Sequence, residues 1–352
     1  MSGDKLLATF AEDLLAWYKV HQRSLPWRTA GGMVPDPYHV WLSEIMLQQT
    51  TVPAVKKFFL AYTSRWATVH DLAREADEEI LAAWAGLGYY ARARNLIKTA
   101  RIVSKDMDGN FPTSEEGLKA LPGIGDYTAA AIAAIAFGAP AVVVDSNVER
   151  VIARIAEIAS PLPAAKKELK IETGKVTPKQ GAGDFAQAMM DLGSSICTPK
   201  APKCLECPVF KHCKASKKGT MERYPVKAPK KLRPTRRALA YWLVVDDHVV
   251  IERRAEKGLL GGMPGVPVSD WVEQEMSDAL ASKSPFKAKW QALDGVVKHT
   301  FTHFQLETIV MTATLSKRPT SNHNWVPIDA VIDQGLPTVF KKMAIHALKA
   351  TK

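Results

Sequence analysis

Two textures of hydrophobic spacing divide the 352-residue chain. Over its first two thirds apolar residues recur every three or four positions, the spacing of helices with one buried face. It predicts helices over 6–20, 40–49, 78–84, 128–137 and 148–158. The apolar run 128–144 is alanine-rich and broken at Gly138, Ala139 and Pro140, so it reads as a buried helix followed by a turn. A membrane span would need about 20 apolar residues. Beyond residue 238 the texture changes. Segment 240–251 reads as two strands about an Asp246-Asp247-His248 turn, 296–302 and 306–314 as further strands, and 339–348 as a closing helix. Helices first and strands later predict a multidomain α+β chain with an all-α region, 1–216, and a mixed α/β region, 238–352.

Between them lies segment 217–237. It holds nine of the chain's Lys and Arg residues against one acid, Glu222, together with Pro225, Pro229 and Pro234. Its lack of apolar periodicity reads as an extended linker, and it carries most of the formal net charge of +11. Such a stretch is either a solvated tether or a polyanion contact, and composition leaves both open. A hydrophobic fraction of 47% with 24% charged residues is that of a soluble globular protein.

All four cysteines fall in one window, Cys197, Cys204, Cys207 and Cys213, spaced Cys-x6-Cys-x2-Cys-x5-Cys. A start at Met1-Ser2-Gly3 without a signal sequence points to a reducing cytoplasm, where disulfides do not persist. Four thiolates in one window then imply a metal. Zinc sites usually offer two Cys-x-x-Cys knuckles, and only one is present here. The irregular spacing favours one [4Fe–4S] cluster.

A second motif, Leu121-Pro122-Gly123-Ile124-Gly125-Asp126-Tyr127-Thr128, leads into the alanine-rich helix. Two alternate glycines allow a sharp turn between helices, and the amides opening the second helix form a site for phosphate. With the segment Val144-Asp145-Ser146-Asn147-Val148 and the cysteine spacing, this hairpin, at about 118–137, resembles the helix–hairpin–helix DNA glycosylases. Within them, the stretches Ser43-Glu44-Ile45-Met46-Leu47-Gln48-Gln49-Thr50 and Gly86-Leu87-Gly88-Tyr89-Tyr90-Ala91-Arg92 resemble the adenine DNA glycosylase (MutY) family.

Cleaving an N-glycosidic bond develops oxocarbenium character on the sugar. It suits one protonated carboxyl, for the leaving base, and one ionised, for the cation. Glu44 has apolar neighbours on both sides, which would raise its pKa, and the resemblance makes it the acid that protonates adenine N7. Asp145 precedes Ser146-Asn147-Val148-Glu149, a capping-box pattern, and the resemblance makes it the second carboxylate, with Asn147 beside it. The family usually has glycine where this chain has Ser146. Bifunctional relatives resembling endonuclease III use a lysine where this chain has Tyr127, so the resemblance implies a monofunctional glycosylase with Tyr127 near the sugar. It also implies that Gln48 and the Leu87-Gly88-Tyr89 loop intercalate when the base is flipped. Trp27, Arg28 and Gln187 would line the adenine pocket, although some members have Glu at the last position.

Region 238–352 resembles the Nudix-like domain that recognises 8-oxoguanine. Phe301-Thr302-His303 matches that domain's Phe-Ser-His loop, and 257–263 matches a further stretch before Pro264. No Gly-x5-Glu box is present, so this region should bind rather than hydrolyse. The implied partner is double-stranded DNA carrying A opposite 8-oxoguanine or guanine, acted on by a bacterial-type, nucleoid-associated monomer with no membrane partner. A bifunctional lyase and a non-catalytic cluster-bearing DNA-binding protein are the competing readings.

Overall fold

The structure, a computed structural model, describes residues 3–29, 33–229, 232–255, 258–273, 284–319 and 323–350, with residues 3–8 described in backbone only. The chain separates into two compact units, Met1–Pro229 and Lys230–Lys352.

The first unit is helical: α1 (Gly3–His21), α2 (Pro37–Leu47), α3 (Val52–Arg65), α4 (Val69–Arg74), α5 (Asp77–Ala83), α6 (Tyr90–Asp106), α7 (Glu115–Lys119), α8 (Asp126–Phe137), α9 (Ser146–Ala156), α10 (Lys166–Val176) and α11 (Ala182–Ser195). Two apolar cores fill it. One gathers α2, α3, α6 and α8, and the other gathers α1, α9 and α10. Helix α11 serves both, giving Ala182 and Ala186 to the first and Phe185, Ala188 and Met189 to the second. Its approach to α8 depends on small residues: a Cβ on Gly183 would lie 2.5 Å from the Ala134 carbonyl oxygen. The alanine run of α8 is therefore buried nearly all round.

Local chemistry sets the helix ends that matter for function. Asp36 caps α2 by accepting from the Tyr38 amide at 2.8 Å, and Pro37 supplies the fixed φ of a first turn. Between α7 and α8, Gly123 takes φ 79°, a conformation that penalises a side chain, and a Cβ there would meet Asn95 of α6 at 2.8 Å. The Thr99 hydroxyl donates to the Pro122 carbonyl at 2.9 Å, fixing the same turn to α6.

The second unit holds a mixed sheet of β1 (Thr235–Val245), β2 (His248–Arg253), β3 (Pro264–Gly265), β4 (Gln291–Ala292), β5 (Val297–Thr300), β6 (Gln305–Thr314) and β7 (Asn324–Pro327). The order is β3-β2-β1-β6-β4, with β5 also on β6 and β7 on β2. Strands β1 and β6 run parallel, and the other pairs run antiparallel. Asp246 and Asp247 both have positive φ, the two-residue turn whose twist suits a hairpin. The helix Thr338–Ala350 lies on the sheet face formed by Ala238, Trp242, Leu306 and Val310.

Segment 217–237 is not one extended linker. The Leu162 amide donates to the Val226 carbonyl at 2.9 Å, and Arg154 Nε to the Met221 carbonyl at 2.9 Å, so 221–228 is fastened to the helical unit. Residues Thr235, Arg236 and Arg237 already belong to β1, opposite Gln305, Leu306 and Glu307. Lys218, Arg236 and Arg237 sit in ion pairs with Glu157, Glu273 and Glu307, which reduces the charge offered to a polyanion. Lys230 and Lys231, and Lys257 of the 257–263 stretch, lie outside the described residues.

Candidate active site

Glu44 sits on α2 among Val40, Trp41, Ile45 and Met46, all buried, and is itself 6% exposed. Burial raises its pKa to about 7. Hydrogen bonding from Tyr127 and the charge of Arg28 oppose the rise, and the charge of Asp145 adds to it. Among the described residues no donor reaches Glu44 Oε2. That carboxyl lines a hollow of about 420 Å³ shared with Trp27, Arg28, Ser43, Gln187 and Met190. Four of the expected residues therefore meet in one place: Trp27, Arg28, Glu44 and Gln187.

Each wall has its own support. Trp27 packs edge-on against Phe59, centroids 5.5 Å apart. Arg28 is not free to approach a ligand with its whole guanidinium. Its two terminal nitrogens grip Asp191 at 2.7 and 2.9 Å, and Arg23 reaches the same carboxylate through its amide at 3.0 Å and Nε at 2.6 Å. Burial works against the Arg28 charge, but Asp191 outweighs it and holds the guanidinium above its ordinary range. Asp191, 1% exposed, was not anticipated from the sequence. Its one signal is an acid interrupting the apolar run Ala188-Met189-Met190-Asp191-Leu192.

Tyr127, in the first turn of α8, has its pKa held well above the usual value by burial and by the Glu44 and Asp145 charges. Asp145 is itself the cap of α9. Oδ1 accepts from the amides of Asn147 at 2.9 Å and Val148 at 2.7 Å, and Oδ2 accepts from Asn147 Nδ2 at 2.8 Å. The capping role expected at Ser146 thus falls one residue earlier, and Ser146 opens the helix. Three donors fix the position of this carboxylate at the start of α9. The charge of Asp145 acts on Glu44, and both carboxyl groups act on Tyr127.

Around this centre stand the expected DNA-contacting residues. Gly123 and Gly125 are exposed at the hairpin, with Gly125 capping α8. Gln48 ends α2 and donates to the Gly123 carbonyl at 3.4 Å and the Thr128 hydroxyl at 3.2 Å. Leu87 departs from expectation: it is 5% exposed and belongs to the core, whereas Tyr89 is 56% exposed. Positive φ at Gly86 and Gly88 turns the intervening side chain inward.

The four cysteines line one hollow of about 300 Å³, walled also by Arg154, Ile196 and Phe210. Among the described residues, no three His, Cys, Asp or Glu side chains are set to hold one metal ion. Burial pushes Cys207 up to about 12 and Cys213 upward, so these sulfurs need a nearby positive charge to ionise. A third sulfur, Cys197 Sγ, accepts a hydrogen bond from Arg154 Nη1 at 3.2 Å.

In the second unit Thr302 and His303 are exposed at the tip between β5 and β6, and Phe301 and Phe304 stack beneath them at 4.7 Å. The Phe301 amide closes the tip onto the Phe304 carbonyl at 2.9 Å. Trp271 and His299 flank Phe301, so its ring is an anchor rather than a free surface.

Comparisons with known proteins meet this geometry. Residues 42–178 match the HhH-GPD superfamily of base excision DNA repair proteins, and residues 240–346 match the NUDIX domain. An adenine DNA glycosylase of Buchnera aphidicola subsp. Schizaphis graminum is 32% identical over 345 residues, 95% of this chain and 97% of its own. The chain belongs to the adenine DNA glycosylase family. It is an adenine DNA glycosylase of base excision repair. The human adenine DNA glycosylase is also 32% identical, over 85% of this chain and 66% of its own length. Among solved structures, a thermostable thymine-DNA glycosylase superposes with a TM-score of 0.54 at 32% identity, covering 61% of this chain and 98% of that one. The family acts on DNA, and among the described residues no helix is long and apolar enough to cross a membrane.

Proposed function

We propose that this glycosylase removes adenine paired with 8-oxoguanine or guanine, using Glu44 as general acid and Asp145 as the carboxylate that stabilises the sugar cation. The observation that carries the reading is Glu44: a buried carboxyl, pKa about 7, with one oxygen unpartnered in a hollow shared with Trp27, Arg28 and Gln187. Flipped adenine enters between Trp27, Arg28 and Gln187, and Glu44 delivers its proton to N7. As the glycosidic bond lengthens, positive charge on the sugar faces Asp145, whose charge is held in place by the α9 amides and Asn147. Tyr127, which cannot form a Schiff base, positions Glu44 and leaves the strand uncut.

Gln48 and Tyr89 enter the gap left by the flipped base, with Leu87 as the buried anchor of their loop. The exposed pair Thr302 and His303 reads the oxidised purine opposite. Cys197, Cys204, Cys207 and Cys213 hold one [4Fe–4S] cluster, a group that supplies positive charge to the thiolates and ties 197–213 together. The second unit, lacking the carboxylate box, binds without hydrolysing. The enzyme acts as a cytoplasmic, nucleoid-associated monomer.

Base release from duplexes carrying A opposite 8-oxoguanine, G or T tests the reading. The expected order is fast, intermediate and slow, with strand breaks only after added alkali. Breaks without alkali would contradict the monofunctional assignment. The purified protein is expected to be brown with bound iron, and stoichiometric zinc would contradict the cluster.

A further inference from the structure

Arg92, on the first turn of α6, is 9% exposed, and none of its five hydrogen bonds goes to a carboxylate. Nη1 donates to the carbonyls of Ile45 at 3.1 Å and Met46 at 3.0 Å, in the last turn of α2 where carbonyls lack helical partners. Nη2 donates to the carbonyls of Leu87 at 2.9 Å and Gly88 at 3.4 Å, and to the Thr50 hydroxyl at 3.1 Å. Thr50 in turn donates to the Gln48 carbonyl at 3.3 Å. The guanidinium also lies 5.3 Å from the Trp84 ring centre and 5.6 Å from that of Tyr89. A cation buried against neutral acceptors is costly to desolvate, so fold stability alone is a poor account of it.

What it joins is specific. The segment bearing Gln48 and the loop bearing Tyr89 come from separate parts of the chain. Each contains a residue in left-handed backbone, Gln49 at φ 58° and Tyr89 at φ 48°. Such conformations persist only when their surroundings enforce them. We infer that Arg92 is the positioning residue of the strand-opening wedge, fixing the Gln48 and Tyr89 segments at one spacing so that both side chains enter the duplex together. The planar fork is needed because two segments must be held at once, which the single nitrogen of lysine cannot do. This inference rests on the assignment of Gln48 and Tyr89 as the intercalating pair.

The full-length protein is tested on two DNA substrates, one with adenine stacked opposite guanine and one with the target adenine already unstacked in a bulge. Flipping is followed by the fluorescence of 2-aminopurine placed next to the target, and excision under single turnover. Arg92→Met is expected to slow flipping and excision on the stacked duplex by roughly tenfold to a hundredfold. Excision from the bulge should stay near wild type, and Arg92→Lys should fall between. Thr50→Val removes one acceptor without removing the buried side chain, and should give a smaller loss with the same dependence on stacking. Equal losses on both substrates, or wild-type flipping by Arg92→Met and Thr50→Val, would overturn the inference. Tyr89→Ala and Gln48→Ala separate the two levels. If they flip normally, the wedge assignment and the inference fail together. If they are slow while Arg92→Met is not, only the inference fails.

Discussion

The Nε of Arg150 donates to the carbonyl oxygen of Cys197 at 2.7 Å. The same guanidinium donates to Asn147 Oδ1 at 2.8 Å, and Asn147 donates to Asp145 Oδ2 at 2.8 Å. One helix, α9, thereby carries the position of the four-cysteine segment to the carboxylate proposed to stabilise the sugar cation. Arg150→Met is expected to slow adenine excision by tenfold or more, on the order of the cost of a small displacement of a reacting group. Affinity for an uncleavable substrate duplex should change little. Single-turnover rates and binding titrations check both. A loss confined to affinity would place the role of Arg150 in the cysteine segment instead.

Gly193 on α11 packs against that same arrangement. A Cβ there would lie 2.6 Å from the Cβ of Asn147, and neither α9 nor α11 can yield without disturbing a core. Gly193→Ala is expected to destabilise by about 1–3 kcal/mol through overpacking and to slow excision by misplacing Asn147. Thermal unfolding with single-turnover kinetics reads both effects.

Glu44 also sets a pH dependence of stability. Its folded pKa of about 7 lies above the ordinary carboxyl value of 4.5, so between those limits the folded state binds more protons than the unfolded one. Stability contributed by the buried neutral carboxyl is present below about pH 4.5 and is lost as pH rises to about 7. Glu44→Gln removes the ionisable group. At pH 8 the variant should be more stable than wild type by up to the order of 3 kcal/mol, with little difference at pH 4.5. Denaturant titrations at the two pH values decide it, and equal stabilities at pH 8 would contradict the desolvated carboxyl.

Thr302 and His303 stand exposed on a tip stiffened by Phe301 and Phe304. Replacing both by Ala should lower the preference for A opposite 8-oxoguanine over A opposite guanine by roughly tenfold to a hundredfold, the worth of a contact to one base edge. Excision from a saturating A·G duplex should hardly change. Unchanged discrimination would place lesion reading elsewhere.

Features written in neighbouring residues were legible from the sequence. The apolar flanks of Glu44 announced a desolvated carboxyl, and the capping-box pattern Ser146-Asn147-Val148-Glu149 announced a helix start, with the cap itself one residue earlier at Asp145. The strand turn at Asp246-Asp247 and the closing helix were equally local. Leu87 was not legible, because an apolar residue between glycines suits a wedge as well as an inward anchor, and only backbone φ at Gly86 and Gly88 decides which. The grip of Asp191 on Arg23 and Arg28, and that of Arg92 on two distant segments, join residues with no shared pattern. The basic stretch misled for a related reason. Its prolines and lysines read as a tether, while its register with β6 and its bonds to Leu162 come from far along the chain.

The central claim is that a neutral Glu44 delivers the proton that releases adenine, and the pH dependence of the single-turnover rate on a saturating A·G duplex tests it most directly. The rate should hold level below about pH 7 and fall roughly tenfold per unit above it, as the protonated fraction declines. Glu44→Gln should be slower by orders of magnitude without that inflection. A wild-type rate that stays flat or rises between pH 7 and pH 9 would contradict the account.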